Sequence, residues 1–216
     1  PWHTDRVPLA RIATAFGVLA GAVSGPALTV ILLSATEVGE VSESAPGGSS
    51  AMPHKRNPVS AITARAAASR VPGSVATVLS SMSHDHQRAS GPWHAEWPST
   101  TDVVRGTGGA AARLADCLTG LQVHADVMRR NLGITGGAIL SERVTTALAE
   151  HTDDARTIVT AACAAGRALD CEPAVLEHLS VDEVRELTDP ERYTGHAADI
   201  VDSALSRIAR TRGVTS

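Results

Sequence analysis

The chain has 216 residues, 43% of them apolar and 19% charged, which is enough for a sizeable core and for one or two domains. A net charge of −4 and a pI near 6.1 exclude nucleic-acid binding by bulk charge, so any anionic ligand must be held by local cations. Aromatic residues are only 2% of the chain, which leaves packing to Ala, Val, Leu and Ile and favours closely packed helices over a β-sandwich. Cys117, Cys163 and Cys171 are odd in number and form no CxxC pair, the pattern of reduced thiols in a cytoplasmic protein. The first residues, Pro1-Trp2-His3-Thr4-Asp5-Arg6, are polar and contain neither a signal peptide nor an initiator Met.

Leu9, Ile12, Phe16, Leu19 and Val23 recur at spacings of three and four and predict the apolar stripe of a first long helix. Residues 12–36 carry no charge, a run long enough to span a membrane. Thr14, Gly17, Gly21, Ser24, Gly25, Pro26 and Thr29 dilute it, so the expectation is a buried bundle helix, bent at Gly25-Pro26, and no membrane partner. Burying it on every side takes more neighbours than one such chain supplies, so oligomerisation is expected. Val59, Ile62, Ala66 and Ser69 predict the stripe of a second helix, interrupted at Pro72-Gly73 and continued by Val75, Val78, Leu79 and Met82. Val104, Thr107, Ala111, Leu114, Leu118 and Leu121 predict the stripe of a third.

Three long helices with this spacing predict an all-α bundle domain over residues 1–131. Glycines at 133, 136 and 137 then introduce a small helical domain over 132–216. Its helices are predicted at Ser141–His151, Asp153–Leu169, Pro173–Leu179, Val181–Leu187 and Gly195–Arg210, with a capping box at Ser180-Val181-Asp182-Glu183. There is no strand-like alternation.

The chemistry concentrates in the loop Pro46-Gly47-Gly48-Ser49-Ser50-Ala51-Met52-Pro53-His54-Lys55-Arg56-Asn57-Pro58. Gly47-Gly48 lets backbone N–H groups turn toward an anion. Ser49 and Ser50 add hydroxyls, Lys55 and Arg56 add cations, and Asn57-Pro58 predicts an N-cap and first helical residue aimed at the same space. A solvated loop would explain the glycines alone. Of 19 basic residues, however, Lys55 is the one lysine, and its compact ammonium differs from the arginine fork used elsewhere, which favours a site. His84-Asp85-His86 lacks a third ligand at metal-binding spacing, so no metal is expected.

The run Gly48–Pro58, with Thr36-Glu37-Val38-Gly39-Glu40-Val41 before it, resembles the signature loop of the fumarase/aspartase superfamily. His86-Gln87-Arg88-Ala89-Ser90-Gly91-Pro92-Trp93-His94-Ala95-Glu96-Trp97 resembles a run of that superfamily's 3-carboxy-cis,cis-muconate cycloisomerases, as do Trp2-His3-Thr4-Asp5-Arg6, with Val7 in place of the usual Asp, and the turn Asp189–Gly195. Ile62 stands where the fumarase-type lyases carry a Glu, and agrees with the cycloisomerases.

The resemblance implies a long-helix bundle and a lactonising addition of a muconate carboxylate across a double bond, in protocatechuate (β-ketoadipate) degradation, without cofactor. It implies catalytic roles for Ser49 and Lys55. It implies contacts to a small tricarboxylate from Gly48, Ser50, Met52, Arg56, Asn57, Arg88 and Arg6, and from His3 and His94. It also implies a homotetramer whose active sites are shared between subunits, and an N-terminal half beyond Pro1, since members are about twice this length. Two alternatives stay open: a C–N lyase releasing fumarate from adenylosuccinate, and an inactive oligomerising helical module.

Overall fold

The computed structural model describes residues 3–48, 51–52, 56–211 and 213. The chain divides into two compact units, residues 1–127 and 128–216.

Three long helices build the first unit: α1 (Val7–Leu33), α2 (Val59–Ser80) and α3 (Pro92–Thr119). Their buried faces are made of small residues. Ala10, Ala13, Ala20, Val23, Ala27 and Val30 face inward from α1, Ala61, Ala64, Ala68, Val71 and Val78 from α2, and Val103, Thr107, Ala110 and Cys117 from α3. Small side chains let helix backbones approach closely, as at Gly106, where a Cβ would lie 2.9 Å from a methyl of Val71. The Thr107 hydroxyl donates to the Phe16 carbonyl at 3.3 Å and ties α3 to α1.

The spacing reading therefore put most of the core on the wrong face: of the predicted positions Val23, Val78 and Thr107 are buried, and the others are half-buried or exposed. Of the predicted α1 stripe only Val23 is fully buried, whereas Ile12 and Leu19 are exposed. In α2 the predicted Val59, Ile62, Ala66 and Ser69 all point outward, and in α3 so do Val104 and Leu118. Large aliphatic residues gave the louder periodic signal, but alanine permits the tighter contact, so each helix carries an inner stripe of small residues and an outer one of large residues.

The break predicted at Pro72-Gly73 is also absent. Pro26 and Pro72 both lie inside continuous helices, each removing one N–H from the ladder without ending it. The Thr77 hydroxyl donates to the Gly73 carbonyl beside the second proline. The third helix begins earlier than its aliphatic repeat, at Pro92, after Gly91 at φ +99°, and so absorbs the Trp-rich run.

A short antiparallel pair, β1 (Val41–Glu43) with β2 (Leu121–Val123), corrects the expectation of a strandless chain and of Leu121 as a helical residue. Its register is Val41↔Val123, Ser42↔Gln122 and Glu43↔Leu121. Three residues per strand are too few to show alternation in sequence. The turn into β2 is tight: a Cβ on Gly120 would lie 2.3 Å from the Ser44 hydroxyl oxygen, while Ser44 N donates to the Gly120 carbonyl at 3.0 Å.

Helix α4 (Ala125–Leu132) contains the division between the units. The second unit holds α5 (Ser141–Leu148), α6 (Ala155–Ala164), α7 (Pro173–Leu176), α8 (Val181–Leu187) and α9 (Ala197–Thr211), with short 3-10 turns between them. Its core is Val144, Leu148, Val159, Leu169, Val175 and Val184 with their neighbours. The capping box at the start of α8 is present in both directions: Glu183 N donates to the Ser180 hydroxyl oxygen at 3.2 Å, and Ser180 N donates to the Glu183 carboxylate at 2.8 Å.

Two outcomes test this packing. Gly106→Val inserts a branched side chain against Val71 and lowers stability by roughly 1–3 kcal/mol, the usual cost of overpacking, read by chemical denaturation. The second concerns Glu183, whose carboxyl is held below its ordinary value, first by the Ser180 hydroxyl and then by the Ser180 backbone N–H. A carboxyl lowered on folding adds stability above its unfolded pKa, and that contribution is lost as pH falls through the folded value. Ser180→Ala therefore lowers the melting temperature by a few degrees at neutral pH and by less once acid has protonated the carboxyl in both proteins.

Candidate active site

The signature loop leaves β1 and returns at α2, and its base is closed by backbone pairing. Gly47 N donates to the Asn57 carbonyl at 2.9 Å, and Asn57 N donates to the Gly47 carbonyl at 2.8 Å. A Cβ on Gly47 would lie 2.3 Å from a methyl of Val59, so glycine is required there by packing. A Cβ on Gly48 would meet open space. Gly48, Met52 and Arg56 are exposed around the loop and Asn57 is half-buried. Ser49, Ser50 and Lys55 lie outside the described residues.

Two expectations about this loop need correction. The Gly47 N–H is spent on Asn57 and is not free for an anion. Asn57 does not cap α2 with its side chain either; the capping position is Pro58. The helix start is instead capped from a distance by Glu43, whose carboxylate accepts Ser60 N at 3.1 Å and Ala61 N at 2.9 Å. Glu43 is only 5% exposed. Its neighbour Cys117 has its thiol pushed up to about 11, chiefly by burial and then by Glu43. Beside the loop base, Ser42, Gln122, His124, Thr36 and Arg56 line a cavity of about 290 Å³. Ser42 Oγ lies 3.0 Å from His124 Nε2 there. A larger cavity of about 640 Å³ between α5 and α6 contains none of the signature residues, so volume alone does not mark the site.

The second constellation surrounds the start of α3. Arg6 forms a fork with the Glu96 carboxylate, Nε donating at 3.2 Å and Nη2 making the shorter contact, while Nη1 donates to the His3 carbonyl at 3.2 Å. Glu96 is 3% exposed. Arg6 is thus committed within the chain rather than standing free as a substrate clamp; its fork fixes the start of α1 against α3. His3 meets Trp93 edge-on at 4.9 Å, and Trp97 meets Trp93 at 5.1 Å and His94 at 4.9 Å. Both ring nitrogens of His84 are buried without a hydrogen-bond partner. Arg88, His3 and His94 are exposed. Among the described residues no group of three His, Cys, Asp or Glu is placed to hold a metal ion.

These two constellations sit at opposite ends of α2. A helix of 22 residues is about 33 Å long. The loop lies at its N-terminus, and the segment with Arg88 and the start of α3 follow its C-terminus. One copy of the chain therefore does not bring Arg88, His94, His3 and Arg6 to the loop. Glu43 and Glu96 escaped the sequence reading because their partners are distant in sequence. The one available sign was at Glu96, a lone acid within an aromatic run; Glu43 follows Glu37 and Glu40 and carries no such mark.

A family described as Lyase matches residues 3–73. The chain is 44% identical over 218 residues to the nitrosuccinate lyase of Streptomyces davaonensis, covering 95% of this chain and 46% of that protein. It is 40% identical over 223 residues to the 3-carboxy-cis,cis-muconate cycloisomerase of Bradyrhizobium diazoefficiens, covering 97% of this chain and 49% of that protein. In three dimensions it resembles the 3-carboxy-cis,cis-muconate lactonizing enzyme from Pseudomonas putida, with a TM-score of 0.87 and 38% identity, over 97% of this chain and 49% of that one. The chain spans about half the length of the curated relatives it matches. With the bundle, the signature loop and these relatives in agreement, the chain belongs to the fumarase/aspartase superfamily of lyases, to whose 3-carboxy-cis,cis-muconate cycloisomerases it is similar along nearly all of its own length.

Proposed function

We propose that the protein is a soluble, cytoplasmic enzyme that lactonises 3-carboxy-cis,cis-muconate to a carboxymuconolactone. The observation that carries this reading is the start of α3. There Glu96 of the Gly91–Trp97 run grips Arg6, and the rings of Trp93, His94 and Trp97 meet in one compact array. Ile62, exposed on α2, supplies no carboxylate where the fumarase-type lyases have one.

In this reaction a substrate carboxylate oxygen bonds to one end of a conjugated double bond. The electron pair moves to the other end and onto the carboxylate conjugated with it. Ser49 delivers a proton to that carbon, and Lys55 with the loop amides beyond Gly47 stabilises the charge where it develops. Lys55→Ala lowers turnover by roughly a hundredfold or more, by analogy with deleting one oxyanion donor. Near-normal kinetics in the full-length variant would reject the role.

Because α2 separates the loop from Arg88 by about 33 Å, we infer that each site joins the loop of one copy to the α3 start of another. The outer aliphatic stripe, including Ile12, Val18 and Leu19 of α1, supplies a surface for that association in a homotetramer. Light scattering of the full-length protein is expected to give a tetramer, and Leu19→Glu is expected to dissociate it and abolish turnover. A stable, active monomer would overturn this assembly.

The similarity to a nitrosuccinate lyase supports a second reading, elimination from a small nitro-substituted dicarboxylate, which the same loop would serve by removing a carbon-bound proton. Parallel assays decide: loss of the diene's ultraviolet absorbance with 3-carboxymuconate, consumption of nitrosuccinate, and fumarate release from adenylosuccinate. Loss of the diene signal, unaffected by EDTA, is the expected result. Turnover of either other substrate alone would replace the assignment within the same superfamily.

A further inference from the structure

The start of α2 is where the signature loop ends, and its first free N–H groups face a carboxylate of the chain itself. We propose that Glu43 is a positioning residue that fixes the base of the loop carrying Ser49 and Lys55, and that its carboxylate fills the place a substrate anion would otherwise take at this helix end. This inference rests on the reading of the loop as catalytic.

Three observations converge on it. The Glu43 carboxylate reaches across 17 and 18 positions of sequence to accept Ser60 N and Ala61 N, so it joins the strand before the loop to the helix after it. The Gly47–Asn57 pairing closes the loop a second time inside that tie. Glu43 is itself held on the side away from the loop: its strand pairs with β2 at Leu121, and Ser44 N donates to the Gly120 carbonyl.

The electrostatics follow from this geometry. A buried carboxylate is costly unless its oxygens are satisfied, and here backbone amides and the positive end of the α2 dipole meet its charge. In return that helix end is neutralised. Its amides at Ser60 and Ala61 are occupied, and a substrate carboxylate approaching them would meet a negative charge already in place. The substrate is therefore directed toward the cations of the loop, and the loop base is held at a fixed distance from α2 without using any group the substrate needs. Glutamine at 43 has the same shape but only one acceptor oxygen, so one of the two amides loses its partner and faces an N–H instead.

The test compares full-length wild type with Glu43→Gln, using Cys117→Ser, which leaves the carboxylate and its amide partners in place, as the control. Amide exchange is read residue by residue. The expected result is exchange roughly tenfold faster at Ser60 and Ala61, the scale of losing a helix cap, with no change at Val103–Ala110 of α3. Per folded enzyme, kcat with the preferred substrate falls by roughly tenfold and KM rises, because a displaced loop weakens both binding and chemistry. A merely structural role would lower the melting temperature and leave kcat and KM of the folded enzyme unchanged; that result, or unchanged exchange at Ser60 and Ala61, would overturn the proposal. If Glu43→Gln does not fold, Glu43→Asp keeps both acceptor oxygens on a shorter side chain and is expected to speed the same amides by about two- to threefold, and no change there counts against the proposal. If wild type turns over none of the three substrates, the functional reading fails, while the exchange result still decides whether Glu43 holds the loop base.

Discussion

The length of α2 governs the molecule. It is a continuous 22-residue rod, about 33 Å long, with the signature loop at one end and the Arg88 segment at the other. Pro72 does not break it, and its buried Ala61, Ala64 and Ala68 lock it against helices that run the same distance. No rotation of side chains closes such a gap. In the assembly we propose, chemistry that needs both ends draws on more than one copy of the chain, and the outer stripes of large aliphatic residues, exposed in a single copy, supply the surface between copies.

Charge is distributed to match. At each end a buried acid is consumed in holding structure: Glu43 at the loop base and Glu96 at the start of α3. Arg6 is consumed with Glu96. Arg56 beside the loop, and Arg88, His3 and His94 at the far end, remain exposed. In the proposed assembly a small polyanion bound between two copies would meet these groups on both sides, and the buried acids Glu43 and Glu96 are already paired. The chain's overall negative charge is compatible with anion binding because the positive groups are local.

The sequence made much of this legible. Helical periodicity located all three long helices, the capping box at Ser180 appeared in both directions, and the eleven-residue loop match pointed to the correct superfamily. What it misread has a common physical cause. Leu, Ile and Phe dominate a hydrophobic pattern, so the stripe of Leu9, Ile12 and Leu19 seemed to be the core, whereas Ala13, Ala20 and Ala27 make the closer contacts. Pro72-Gly73 reads as a break in a helix that tertiary packing carries through. The β1–β2 pair is too short to show a period, and the carboxylate caps and forks depend on partners from 17 to 90 positions away. Local rules therefore found the elements but not the faces they bury or the acids that hold the site.

The sharing of one site between copies is tested most directly by mixing two inactive variants. Lys55→Ala disables the loop end and Arg88→Ala disables the far end. Unfolding and refolding the two full-length variants together should produce mixed oligomers in which some sites combine an intact loop from one copy with an intact Arg88 from another. Turnover should then reappear, while each variant refolded alone stays inactive. Mixed oligomers that form, as shown by a size or affinity tag, yet recover no activity would contradict a site assembled between copies.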